Sequence, residues 1–194
     1  MQSSFEGDSR ISASTTSKEI FPSMGHHIQA FISREELLRE IAHHYPAAIV
    51  IPLSQRFAMM PITEQFYDEL PSPQHPEKAD KHFLYLGPKV HHIGKAFSVK
   101  APLAYVETEY FGGIGFQGAV VWANGQIIFG PALTGDREDF QTDDLSDNAI
   151  NIALHKLGVL KGGSRDEFDA IRLGKHRDNE SWIEEITSAG PENC

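Results

Sequence analysis

Leu103–Pro131 reads LAYVETEYFGGIGFQGAVVWANGQIIFGP, and this stretch decides the fold. Leu103 to Tyr110 is rich in aromatic and β-branched residues and has no helical period, which predicts a strand. Ala119 to Trp122 predicts a second strand. Asn124-Gly125 then supplies the two residues that tolerate positive φ in a tight hairpin turn. Gln126 to Phe129 is the returning strand, and Gly130-Pro131 is expected to end it. Three strands joined in sequence make an antiparallel meander.

The same stretch contains a glycine string, Gly113-Ile114-Gly115-Phe116-Gln117-Gly118, with the spacing of a dinucleotide fingerprint. That fingerprint works because a helix starts in the glycine loop and directs its N–H groups at a pyrophosphate. Here Ala-Val-Val-Trp and a hairpin follow, so the context is wrong. Adding Val120 gives the pattern of a kinase glycine-rich loop, which does sit in a hairpin, and His176-Arg177-Asp178 spells the start of a kinase catalytic loop. The remaining parts fail. No lysine occurs between Lys100 and Lys156, and no Asp-Phe-Gly follows His176. The glycines Gly113, Gly115 and Gly118 therefore read as a bulge or wide turn, with nucleotide binding as an outside alternative.

A chain of 194 residues suits one domain that buries about 70% of its unfolded surface. The net charge of −10 argues against non-specific nucleic-acid binding, which needs basic groups, and fits a basic partner. The single cysteine is Cys194, so the chain cannot close an internal disulfide, and a reducing cytoplasm is expected. No apolar run has the ~18 residues of a membrane span, and no signal-peptide core is read near Met1.

Residues 1–25 are polar and Ser/Thr-rich, which predicts a disordered tail, with Met24 as an alternative start. Residues 26–187 form the predicted domain, and 188–194 a flexible tail. His27 to Ile32 predicts a strand. Ser33 and Glu36 predict a capping box for a helix burying Leu37, Leu38 and Ile41, stopped by Pro46. Strands are expected over Ala47 to Leu53 and Arg56 to Met60, and Thr63 should cap a short helix. Pro71 to Lys81 is a loop. Pro88 to Ser98 has Val90, Ile93 and Phe97 at helical spacing, interrupted by Gly94. Ser146 is expected to cap a helix carrying Ala149, Ile150, Ala153, Leu154 and Leu157 and ending at Gly158. Short helices close the domain over Asp166 to Ile171 and Glu180 to Ile186, with Asp178 or Asn179 capping the second. Helices mixed with antiparallel strands give an α+β class.

Candidate chemistry is sparse. Glu107 and Glu109 share one strand face with Cα atoms roughly 7 Å apart. Such a pair can work as acid and base, or simply line a solvated face. The ten histidines come partly as adjacent pairs, including His26-His27, whose side chains diverge and make poor metal clamps. From Ala101 to His155 there are eight acidic residues, among them Asp136 and Glu138, against one basic residue, Arg137. Near the C-terminus Lys175, His176 and Arg177 sit in a glycine-bearing turn that can pair with Glu107 or Glu109, or form a surface loop.

The blocks AYVETEYFGG, NIALHKLGV and DEFDAIRLGKHRD resemble a family of small uncharacterised bacterial cytosolic proteins. The resemblance covers roughly His27 to Ile186 and implies no activity, cofactor or site residue. In general character the chain is also similar to toxin-neutralising immunity proteins. The expected function is a non-enzymatic acidic binding protein that engages a basic partner protein through Glu107, Glu109, Asp136, Glu138 and Arg177, with no cofactor and no metal. The alternative is a small hydrolase or transferase using Glu107 and Glu109 with His176.

Overall fold

The computed structural model describes residues 25–74, 80–111, 114–135 and 148–188. Six strands run as β1 His26–Arg34, β2 Ile51–Pro52, β3 Phe57–Pro61, β4 Leu103–Phe111, β5 Ile114–Ala123 and β6 Gln126–Gly135. Six helices are α1 Glu35–His44, α2 Glu64–Glu69, α3 Pro88–Phe97, α4 Ala149–Leu157, α5 Glu167–Ala170 and α6 Asn179–Ser188. The strands form one antiparallel sheet in the order β2-β3-β1-β4-β5-β6. The class is α+β, as the mixture of periods predicts. The predicted tails, apart from Gly25 and Ser188, lie outside the described residues, as do Gly113, Asp136, Glu138 and Ser146.

Both faces of the sheet are covered. On one face Ile28, Ala30, Ile32, Ala104, Val106, Ala119 and Val121 pack against α4, α5 and α6 through Ile150, Leu154, Ile171 and Trp182. On the other, Phe31, Met60, Tyr105, Val120 and Trp122 pack against α1, α2 and α3 and the segment carrying Phe83 and Leu86. Central strands buried on both faces read as continuous apolar runs, which is why Leu103 to Val106 lacks a polar alternate. Each large side chain enclosed in this way contributes about 1.5–3 kcal/mol.

The meander is present with two adjustments. Asn124 and Gly125 form the turn at φ +53° and +74°. Gly130-Pro131 does not end β6, which continues to Gly135. The register slips between Ala119 and Val121, so the pair that cannot ladder sits in a bulge, with Gly130 at φ +76°. The predicted strand over Ala47 to Leu53 shrinks to Ile51–Pro52, because only these residues pair with β3.

Capping differs where tertiary partners compete. Ser33 does not cap α1. It is buried and donates its hydroxyl to the Pro102 carbonyl at 2.7 Å, and Arg34 holds the cap position without a side-chain bond. At α4 the capping oxygen belongs to Asn148, which accepts from the Asn151 N–H at 2.8 Å. Thr63 caps α2 and Asp178 caps α6 as expected. Gly94 is needed inside α3 because a Cβ there would lie 2.4 Å from the Trp122 indole.

Candidate functional site

Glu107 is the sequence candidate whose surroundings differ most from expectation. It shares a face with Leu103 and Tyr105, and that face is the α1–α3 core rather than water. The residue is 1% exposed. One carboxylate oxygen accepts the Leu84 N–H at 2.6 Å. The other accepts the Tyr105 hydroxyl at 2.6 Å and the Tyr85 N–H at 3.4 Å. Burial raises its pKa, and the three donors oppose that rise without cancelling it. Tyr105, fully enclosed beside this carboxylate, has its pKa raised well above the ordinary tyrosine value. Glu107 therefore latches the 83–86 segment onto β4.

Glu109, two residues on, is exposed, so the two carboxylates do not share an environment. His176 is on the other face of the sheet. It bonds Glu185, which Lys175 also holds, and its ring meets Trp182 edge-on at 4.9 Å. Those two partners depress the Glu185 pKa. No hydrogen bond or ion pair among the described residues joins His176 or Arg177 to Glu107 or Glu109. The Arg177 backbone carbonyl instead accepts the His27 N–H at 2.6 Å, which docks the turn on β1. The sequence-predicted acid–base set is thus dispersed over the molecule.

The described part of the glycine string, Ile114 to Gly118, lies in β5. A Cβ at Gly115 would lie 2.0 Å from the Glu109 carbonyl oxygen across the β4–β5 ladder. Gly118 faces Glu107 in register, and a Cβ there would lie 2.4 Å from the Phe83 ring and 2.7 Å from Leu133. Gly118 is small because Phe83 needs the space. No helix starts among the described residues of this stretch, so the helix N-terminus that a dinucleotide loop needs is not formed by them.

What the structure assembles instead is a groove beside β1. It measures about 530 Å³ and is lined by Gln29, Ile62, Thr63, Glu64, Gln65, Tyr85, Asn179, Glu180, Ile183 and Glu184. The backbone of Gln29 anchors both walls. Its N–H reaches Asn179 Oδ1 at 3.3 Å, and its carbonyl accepts Asn179 Nδ2 at 3.0 Å and the Ile62 N–H at 2.8 Å. The first two bonds fix the start of α6, and the third fixes the turn into α2. Tyr85 completes the rim, held from below by the Glu107 latch. Glu64, Glu180 and Glu184 are exposed, and none has an ion-pair partner among the described residues. Among the described residues the lining holds no lysine, arginine or histidine.

Sequence reading missed this groove because its carboxylates are scattered over α2 and α6, each an ordinary surface glutamate. The available signal was Asn179, a polar residue at a helix start that is buried in the fold. Among the described residues, no three His, Cys, Asp or Glu side chains converge as a metal site requires, and no helix is long and apolar enough to cross a membrane.

Comparison of the chain with protein-family models, with curated proteins and with solved structures gives no match in any of the three.

Proposed function

We propose that this protein is a non-enzymatic acidic binding protein, and that the groove between α2 and α6 receives a basic side chain or basic segment of a partner protein. The observation that carries this reading is the composition of the groove: three exposed glutamates beside Ile62, Ile183 and Tyr85, with no ion-pair partner and no lining cation among the described residues. Lysine and arginine side chains are amphipathic. Their methylene stems suit Ile62, Ile183 and the Tyr85 ring, while the charged end suits Glu64, Glu180 and Glu184. The reading keeps the predicted basic partner and moves its contact surface. Glu107 cannot touch a partner, because it is enclosed under Leu84 and Tyr85. Its part is to position the Tyr85 rim.

The test is titration of a fluorescent arginine-rich peptide at low and high salt against the wild type and an E64Q/E180Q/E184Q variant. Exposed ion pairs are worth up to about 1 kcal/mol each, so three together predict a loss of roughly tenfold or more in affinity, with binding weakening as salt rises. Equal binding by the variant, or binding insensitive to salt, would overturn the proposal.

A further inference from the structure

A second cleft, on the α4–α5 side of β1, has different chemistry. It measures about 230 Å³ and lies where β1 begins and β4 ends, among His26, Thr108, Tyr110, Gln117, Asn148, Arg165, Asp166 and Phe168. It is separate from the groove, since His26 and Thr108 face the α4–α5 side of the sheet whereas Gln29 meets the groove through its backbone, along the edge of β1 beyond β3.

The polar groups here are unequally used. Thr108 Oγ1 accepts the Ile28 N–H at 2.9 Å and lies 2.8 Å from His26 Nδ1. The hydroxyl keeps its own proton and can donate it to Nδ1, the arrangement that places the ring proton on Nε2. That Nε2 is buried and has no partner among the described residues. Burial lowers the His26 pKa, with Arg177 and His27 adding to the effect and Asp178 opposing it, so the ring is neutral near neutral pH. The Tyr110 oxygen accepts from Gln117 Nε2 at 3.2 Å, which frees the phenol proton. Asn148 spends its oxygen on the α4 cap and keeps its NH₂. Arg165 is 81% exposed and uses only Nε, on Asp166 Oδ2 at 3.3 Å. Asp166, which also lines the cleft, accepts the Asp169 N–H on Oδ1 at 2.8 Å and keeps a second lone pair on each oxygen. Among the described residues the lining thus retains unspent donors on Arg165, Tyr110 and Asn148, one of them a guanidinium, against the Gln117 amide oxygen and the second lone pairs of Asp166. Phe168, tilted against the His26 ring at 5.7 Å, supplies an apolar wall.

We propose that this cleft binds a small organic oxyanion, its charged group held by Arg165 and Tyr110 and its apolar body against Phe168. A donor surplus in a partly enclosed site is the arrangement that oxyanions require. The surplus is notable in a chain of net charge −10, whose surface otherwise repels anions.

The experiment is an NMR titration of the whole protein with benzoate, inorganic phosphate, benzyl alcohol and benzylammonium in turn. The His26 imidazole resonances serve as the local reporter, and calorimetry gives the affinity. Saturable binding of either anion, with movement of the His26 signals and no response to the alcohol or the ammonium, supports the proposal. Which anion binds separates a carboxylate ligand from a phosphate. Loss of a hydrogen bond to a charged ligand predicts a drop of about tenfold or more in R165L and in Y110F. K161Q removes one positive charge elsewhere on the surface and should bind as the wild type does. The proposal is overturned if neither anion binds, if the alcohol binds as well as the anions, or if R165L and Y110F retain wild-type affinity. Failure here leaves the basic-peptide result at the α2–α6 groove unaffected, because the two sites share no residue.

Discussion

Replacing Glu107 separates a latch from a catalytic acid or base. In E107A the Tyr105 hydroxyl, the Leu84 N–H and the Tyr85 N–H all lose their acceptor. Tyr105 is fully buried and cannot recruit bulk water, whereas the two amides at the segment's surface partly can. A buried unsatisfied donor costs about 1–3 kcal/mol, and the amides add less, so E107A should lose about 2–4 kcal/mol of stability. Q is the informative second substitution. The Gln amide oxygen can accept from Leu84 while its NH₂ donates to the Tyr105 oxygen and no charge is buried, although the Tyr105 O–H and the 3.4 Å bond from Tyr85 lose their acceptor. E107Q should therefore cost less than E107A, about 1–2 kcal/mol at neutral pH.

The pH dependence follows from the raised pKa. Folded Glu107 holds its proton more tightly than the unfolded chain does. Its contribution to stability is complete below the unfolded value of 4.5 and is lost as pH rises through the higher folded value. E107Q should remove that slope. Urea denaturation across this window measures both effects, and amide exchange at Leu84 and Tyr85 reports whether the 83–86 segment has come loose. If E107A matches wild type in stability and in Leu84 exchange, the latch is wrong.

Two further outcomes test other parts of the structure. His26 behaves oppositely to Glu107: its folded pKa lies below 6.5, so the unfolded chain takes up the proton first as pH falls, and stability is lost from about that value downward. H26Q should flatten this part of the urea-denaturation profile and leave the Glu107 window in place. In the glycine string, G118A forces a Cβ into contact with Phe83 and Leu133 and should cost about 1–3 kcal/mol, as overpacking does. G115A drives a Cβ into the Glu109 backbone, which cannot swing away, and should cost more. Thermal melts rank the two, and a G115A protein as stable as wild type would contradict the β4–β5 register.

Much of the framework was legible because it depends on local chemistry. Asn124-Gly125 dictates a hairpin through backbone sterics alone, and Gly158 stops α4 at φ +88° for the same reason. The apolar spacing of Leu37, Leu38 and Ile41 fixes which side of α1 is buried. Ser33 shows where such reasoning fails. Its sequence context is that of a helix cap, yet the Pro102 carbonyl, 69 residues away, takes its hydroxyl.

By itself the sequence determined the α+β class, the meander, most helices and the acidic character that suggests a basic partner. These follow from side-chain period, turn sterics and charge, which neighbouring residues carry. Tertiary structure decided what Glu107 does. Period 2 puts Glu107 and Glu109 on one face, but only the docking of residues 83–86 encloses the first and leaves the second in water. It also decided which residues meet in each site. His26 and Thr108 are brought together by the β1–β4 register, and the walls carrying Glu64 and Glu180 are both pinned to Gln29 by long-range hydrogen bonds. Such contacts link residues as much as 150 positions apart, and no local pattern encodes them.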